Sequence, residues 1–499
     1  MSRLSKNIIY NLAGGLMLAV LSLIAVRYIF QRLGPDALGI IYFVWPLSAV
    51  LRSALDMGIS TTTTREVAMH WRDEPDYVAE LVRTASTLYW AAFAALAIGL
   101  YAGAPWIARH WLRLETISVA EAVAVLRILG IGALLGLPRS LYGSLLRGLE
   151  RMSITNGIDV VFTAAQQAGC IMVLVMDGGL MMLCWWLAAS FAVWTAAYIV
   201  ISAWALSWRA VRPGMFAATI RRNRAFAAHM SGISMLSVVH TESDKIIVSR
   251  LMPLGMVGFY GFAARITGRC MTVVAAISQA AYPALSAAMH REGRAGAIRQ
   301  YNRLHDLVCF GTVPIFAAMV FASGPLFTFL FNRQVAGQLM IPVALLCVGY
   351  YMNGTLNMPY FFSLASGRPD IAMRLNLWAL IGTLPIAVWL VYSFGLTGAG
   401  LSWVVYHIFA YAYWVPRLCR ECLETPVFDW YLHIAKVGAL TGGTYGAVWW
   451  LARLMGASGA ELAVYYVTAT AAFTLGAWLM AGRRLRAAVV DVLWEPLAA

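Results

Sequence analysis

Fourteen segments of predominantly apolar residues recur along the 499-residue chain, each about 20 positions long, the length an α-helix needs to cross a hydrocarbon layer. They fall near 8–30, 38–60, 84–103, 122–146, 154–176, 180–207, 226–249, 255–284, 305–330, 338–364, 371–393, 396–416, 431–453 and 461–481. Nothing constrains the fold more. In lipid the backbone N–H and C=O groups have only one another as partners, so such a chain is either a helix bundle or a closed barrel. Strict apolar/polar alternation is absent, which excludes the barrel. The expected fold class is an all-α polytopic membrane protein with about 14 transmembrane helices. The first run is too long for a signal-peptide core and no small-residue cleavage site follows it, so it reads as the first span. Connections are short, and no soluble domain is expected between spans.

Charge then orients the chain. Only 12% of residues are charged, yet the net charge is +14. Position explains the excess better than a nucleic-acid partner does. Arg3, Lys6, Arg65, Arg72, Arg147, Arg151, Arg221, Arg222 and Arg224 fall on one side, with Arg291, Arg294, Arg299, Arg303, Arg417, Arg420, Arg483, Arg484 and Arg486. The other side holds little beyond Arg32, Arg109, Arg113, Arg333 and Arg453. The positive-inside rule places the basic side, and both termini, in the cytoplasm. The seven cysteines lie mostly within spans and read as small apolar residues. Cys419 and Cys422 form a lone CxxC without a second ligand pair, hence free thiols.

The chain repeats itself at an offset of about 220 residues. RLGPDALGIIY (32–42) is echoed by RLMPLGMVGFY (250–260), and Pro138, Gly148 and Asn156 by Pro359, Gly367 and Asn376. Six spans are therefore read as duplicated in parallel: an N-lobe 1–207, an Arg-rich cytoplasmic linker 208–225, a C-lobe 226–419, and two additional helices with a cytoplasmic tail in 420–499. Parallel-repeat lobes around a shared site are a transporter architecture.

Charges inside the spans are the candidate functional groups. A central Arg, Lys or Asp costs about 2.5–3.5 kcal/mol on insertion scales, so a set of them calls for pairing, water or a purpose. The stretch SVVHTESDKIIVSR (237–250) places His240, Glu242, Asp244 and Lys245 side by side. At the repeat offset Arg27 corresponds to Lys245, and Arg52 nearly to Arg269. Arg52 and Asp56, Arg265 and Arg269, and His240 and Asp244 are spaced to share helical faces, as are Glu242 and Lys245. Arg127 and Asp159 add further intramembrane charge. Each carries a structural reading beside the functional one. Arg27, Lys245 and Arg250 lie near span ends, where they can snorkel. Arg52–Asp56 and Glu242–Lys245 can be ion pairs that offset their own burial. His240 can be a neutral, hydrogen-bonded residue rather than a proton relay. Arg265 and Arg269 have no acid in their own helix, which favours a water-filled cavity. Gln279, Asn353, Asn357, Gln166 and Gln167 suit either sugar hydroxyls or interhelical hydrogen bonds. Basic groups on both lobes suit an anionic substrate, and the planar fork of Arg matches phosphate.

The segment LGPDALGIIYFVWPLSAVLRSALDMGISTTTTREVA (33–68) resembles the opening signature of the polysaccharide transporter family. SDKIIVSRLMPLGMVGFYGFAARI (243–266) resembles that family's seventh-to-eighth-span signature. AAYPALSAAM (280–289) and the Gly-x-x-Gly of 395–400 fit its later helices. The family comprises Wzx-type flippases of the MOP exporter superfamily, which also contains MATE drug exporters and lipid II flippases. The resemblance implies a two-lobed, alternating-access protein of the bacterial inner membrane. It implies a flippase that moves undecaprenyl-diphosphate-linked oligosaccharide to the outer leaflet for O-antigen, capsule or exopolysaccharide. Fourteen spans exceed the twelve common in Wzx-type members and resemble the lipid II branch. On this reading Arg52, Lys245, Arg265, Arg269, Arg27, Arg127 and Gln279 form the diphosphate and sugar cavity. Asp56, Glu242, Asp244, Asp159 and His240 serve coupling or gating, with a proton or sodium ion as coupling species and no cofactor or metal. Expected partners are the lipid-linked oligosaccharide, bilayer lipids, a polysaccharide polymerase and export machinery, but no nucleic acid, with the protein itself a monomer. The alternatives are a MATE-like or lipid II-type transporter, and a membrane-bound polysaccharide polymerase or ligase. Short outer loops and the lack of a metal-spaced His/Asp cluster weigh against the enzymes.

Overall fold

The computed structural model describes the backbone of residues 3–480 and the side chains of 17–480, except at 229, 233, 279, 280, 369, 370 and 372–376. The side chains of Arg3, Lys6, Gln279 and Asn376 therefore lie outside the described residues, as do Arg483, Arg484, Arg486 and the rest of the tail beyond 480. The described residues are helical apart from turns and a single bridge between Arg113 and Pro253. By contacts the chain divides into Met1–Gly261 and Phe262–Ala499.

The first unit contains α1 (Arg3–Asp56), α2 (Ile59–His70), α3 (Pro75–Trp106), α4 (Val119–Leu134), α5 (Gly136–Gly148), α6 (Met152–Val175) and α7 (Leu180–Ala205). It continues through α8 (Trp208–Val211) and α9 (Ala217–Leu251) into α10 (Leu254–Gly268), which crosses the division. The second unit adds α11 (Met271–Gly311), α12 (Val313–Leu330), α13 (Arg333–Ala365), α14 (Pro369–Leu418), α15 (Val427–Thr441), α16 (Ala447–Leu454) and α17 (Ala460–Met480). The division places α9 with the first unit, and within the 208–225 segment both α8 and the first turns of α9 are helical.

Nine stretches among the described residues are long and apolar enough to cross a membrane. Three of these hold two spans each, because α1, α11 and α14 are interrupted at Gly34, Gly293 and Gly395. The charged α9 and the short, consecutive α15 and α16 bring the arrangement to the fourteen spans read from the sequence. Large apolar side chains such as Ile98, Trp185 and Trp204 are 61–76% exposed, a surface suited to lipid and unfavourable in water.

The LGPD motif shows how local chemistry builds one of these corners. Gly34 takes φ 84°, a left-handed conformation that glycine adopts without a Cβ clash. Pro35 and Asp36 then open the second arm of α1, where a carboxylate is favoured near the helix N-terminus. The fully buried Asp36 reaches across to the loop before α4, its Oδ2 accepting from the backbone N–H of Glu115 at 2.8 Å and of Thr116 at 2.6 Å. Ser118 and Glu121 form the capping box that starts α4 directly after this loop.

The two echoed segments, 32–42 and 250–260, pack against each other. A Cβ on Gly39 would run into the carbonyl of Leu254, and one on Gly258 would stand 2.7 Å from the backbone N of Gly39. Their glycines thus permit a backbone-to-backbone crossing of the second arm of α1 with α10, as small residues do between membrane helices.

Candidate substrate site

The first unit holds most of the charged candidates, on α1, α5, α6 and α9. Arg52 lies one turn before the end of α1. Its Nη1 donates to the carbonyl of Ala133 at 3.2 Å, and the absence of a side chain at Gly136 leaves room for the guanidinium. The expected Arg52–Asp56 ion pair is not formed. Helix α1 ends at Asp56, whose carboxylate accepts from the hydroxyls of Ser60 and, at 2.5 Å, Tyr89. A hydroxyl four residues further on, at Ser60, and a tertiary one from α3, at Tyr89, occupy the carboxylate in place of Arg52.

Sequence reasoning missed Arg139. It sits in α5 within an apolar run, and its guanidinium lies 3.9 Å over the ring of Trp194. Its Nη1 is buried and has no hydrogen-bond partner among the described residues. Arg52 and Arg139 are close enough to repel one another, while Glu242 attracts Arg52 and Asp159 attracts Arg139. The only sequence signal was an Arg directly after Pro138 inside a span, which stood out less than the cluster on α9.

Helix α9 carries the 240–245 cluster. The ammonium of Lys245 contacts Glu242 and Asp244 at 3.2 Å each and donates to the carbonyl of Thr241 at 2.6 Å. The Glu242–Lys245 pair is therefore formed as spaced. Asp244 is 2% exposed and accepts from Tyr260 Oη at 2.7 Å, which ties α9 to α10. His240 is half-buried one turn earlier. Asp159 on α6 is exposed and accepts from Tyr198 at 2.7 Å. Arg127 is tethered to α3, donating to the Tyr101 carbonyl at 3.1 Å and lying 3.9 Å over its ring. Arg27 is half-buried on the first arm of α1.

Four carboxylates here thus have defined hydroxyl or ammonium neighbours: Asp56, Asp159, Glu242 and Asp244. The two guanidiniums retain donor capacity, since among the described residues Arg52 makes one hydrogen bond, to a neutral carbonyl, and Arg139 stacks on an indole with its Nη1 unpartnered. An Arg pair of this kind is suited to a tetrahedral oxyanion, which accepts several charge-assisted hydrogen bonds at once.

In the second unit, Arg265 and Arg269 are both exposed. Helix α10 ends at Gly268, so Arg265 lies in its last turn and Arg269 in the turn before α11, its N–H bonded to the Ile266 carbonyl at 3.1 Å. Several polar residues have protein partners. Gln166 donates to Ser190 at 2.6 Å, Asn353 meets the buried His407 at 3.1 Å, and Asn357 donates to the Asn353 carbonyl at 3.0 Å. Cys419 and Cys422 are buried free thiols in the helical turn Cys419–Leu423 that directly follows α14.

Residues 4–289 match the family model described as "Polysaccharide biosynthesis protein". A Shigella flexneri protein named "Putative O-antigen transporter" is 21% identical over 404 residues, covering 80% of this chain and 94% of that one. Among solved structures, the lipid II flippase MurJ in an inward closed conformation matches with TM-score 0.73 at 11% identity, over 99% of this chain and 100% of that chain. An inward-facing MATE family transporter of the MOP superfamily matches with TM-score 0.64 at 14% identity, over 81% and 95%. At those identities the likeness establishes the fold. The chain belongs to the polysaccharide biosynthesis protein family and has the helical fold of MOP superfamily transporters.

Proposed function

We propose that the protein is a flippase, not an enzyme. It moves an oligosaccharide linked to a polyprenyl diphosphate from the inner to the outer leaflet of a bacterial cytoplasmic membrane by alternating access. The observation that carries this reading is the Arg52–Arg139 pair, two guanidiniums with donors to offer inside a membrane-spanning unit. Moving a diphosphate through hydrocarbon requires replacement of its hydration, and paired Arg forks supply that without requiring a metal. Arg27, Lys245, Arg265, Arg269, Arg127 and Gln279 are assigned as further headgroup contacts. Asp56, Glu242, Asp244, Asp159 and His240 are assigned to gating or to coupling by a proton or sodium ion.

The family description and the name of the Shigella relative support a polysaccharide precursor as cargo. The asymmetry of Arg and Lys between loops supports cytoplasmic termini. Lipid II is the second reading: the MurJ likeness extends along the whole chain, and its substrate would present the same diphosphate to the same pair. A MATE-like exporter of small cations is disfavoured, because the donors left over are cationic.

The test is deletion in a strain without a redundant flippase, followed by labelling of lipid-linked oligosaccharide in each leaflet. Inner-leaflet accumulation is expected, rescued by the wild-type gene and by Arg52→Lys in part, and reduced at least tenfold in rescue by Arg52→Ala, where a charge-assisted contact worth about 1.5–3 kcal/mol is lost. Normal outer-leaflet delivery without the protein would sink the proposal.

A further inference from the structure

The second unit brings together three metal-type donors that are separated in sequence. His305 and Cys309 are one turn apart on α11 and so share a face. His433 comes from α15, the first helix beyond α14. Donor atoms of the three lie within 4.8 Å of one another, with Cys309 Sγ 3.6 Å from His305 Nε2. Asp306 adds a carboxylate oxygen 3.3 Å from His433 Nε2.

Packing alone accounts for some of this. The His305 ring stacks between Tyr301 and Trp430, with centroids at 5.3 and 5.7 Å. A phenyl ring would fill that stack equally well, without the cost of burying an imidazole nitrogen. His305 is 4% exposed, and its Nδ1 is buried with no hydrogen-bond partner among the described residues, while the buried His433 Nε2 faces the Asp306 carboxylate at 3.3 Å without hydrogen-bond geometry. An unsatisfied buried nitrogen costs about 1–3 kcal/mol, so the retention of His305 beside a thiol and a second imidazole calls for a ligand. A cavity of about 540 Å³ reaches the group, lined by His305, Asp306, Asp429, His433 and Lys436. It gives an ion a polar route in and room for a water.

We propose that His305, Cys309 and His433 bind a zinc-class divalent transition metal, with the Asp306 carboxylate or a cavity water in the fourth position. Two imidazoles with one thiolate suit Zn2+ or Co2+ and exclude the oxygen-seeking Mg2+ and Ca2+. Tetrahedral bonds of about 2.0–2.3 Å place donors roughly 3.5 Å apart, so closure from 4.8 Å takes side-chain movements of about 1 Å. On binding, the Cys309 thiol releases its proton to the cavity, one metal–sulfur and two metal–nitrogen bonds form, and the ion sheds water. The bound metal clasps α15 to α11. This is independent of the flippase reading, because it concerns how the additional helices are held rather than what is carried.

The test uses the full chain, untagged and in detergent, stripped with a chelator. Titration with Co2+ is expected to give a thiolate-to-cobalt charge-transfer band at one metal per chain, displaced by Zn2+. Zn2+ is expected to raise the melting temperature of the wild type. Cys309→Ser is expected to abolish the band. His433→Gln is expected to weaken binding by about 100-fold or more, since loss of outer-shell partners alone costs 10–100-fold. Absence of both the band and the thermal shift in the wild-type protein overturns the proposal, and needs no variant to fold. Binding that persists unchanged in both variants, as at the Cys419–Cys422 thiols, overturns it too.

Discussion

Tyr260 donates a 2.7 Å hydrogen bond to the carboxylate of Asp244, and the two side chains are only 0% and 2% exposed. The contact closes the turn between α9 and α10 and fixes one end of the charged cluster on α9. In Tyr260→Phe a buried carboxylate loses a donor, at a cost of about 1.5–3 kcal/mol. Thermal unfolding in detergent should show a lower midpoint. Adding Asp244→Asn to Tyr260→Phe should cost much less than the two single changes summed. An unchanged midpoint in the single variant would contradict the assignment.

Arg139 separates function from stability. Its buried Nη1 is unsatisfied, so replacing the cation by an apolar side chain of similar length removes a desolvation penalty. Arg139→Met is expected to leave the melting temperature unchanged or raised while reducing lipid-linked oligosaccharide transport at least tenfold, a loss of roughly 1.4 kcal/mol or more of transition-state stabilisation. If transport and stability fall together, Arg139 is a structural residue only.

Gly39→Ala and Gly99→Ala should have opposite signs. A methyl at Gly39 meets the backbone carbonyl of Leu254, which has no rotamer by which to withdraw, so a loss of about 1–3 kcal/mol is expected. At Gly99 a Cβ meets nothing within 4 Å, and in a helix the change gains up to about 1 kcal/mol. Melting temperatures of the two variants, compared in one detergent, distinguish them.

The start of α9 is held by a salt bridge in which Arg222 Nη1 donates to Glu74 at 3.1 Å. This hydrogen bond holds the Glu74 carboxyl below its ordinary value of 4.5, and the same contact raises Arg222. The folded state therefore binds the Glu74 proton less readily than the unfolded chain does. The contribution is complete above 4.5 and is lost as the pH falls through the lowered value. Wild type and Glu74→Gln should differ in melting temperature at pH 7 by a small amount that 1 M salt reduces, and should converge in acid. A difference that persists in acid would show that the contact acts by shape rather than charge.

The helices were legible in the sequence because lipid leaves the backbone few choices, and apolar runs mark them directly. The LGPD corner was legible as a motif, but the reason for Asp36 was not: the amides it accepts from, at Glu115 and Thr116, are 79 and 80 residues away. Helical spacing succeeded for Glu242 and Lys245, whose charged ends meet at 3.2 Å on one helix. It failed for Arg52 and Asp56, where Ser60 and Tyr89 compete for the carboxylate. Arg139 and the His305–Cys309–His433 group were hidden for one reason. Their meaning comes from packing partners on other helices, which periodicity along one helix does not encode.

The crossing at Gly39 and Gly258 joins the two copies of the repeated motif, and that has a consequence for descent. After a duplication, sister segments are ordinarily free to drift apart. Here neither copy can acquire a side chain at the crossing without striking the backbone of the other, so each restrains the substitutions open to its sibling. Related chains should therefore keep small residues at both positions, or change both together where the helices have moved apart.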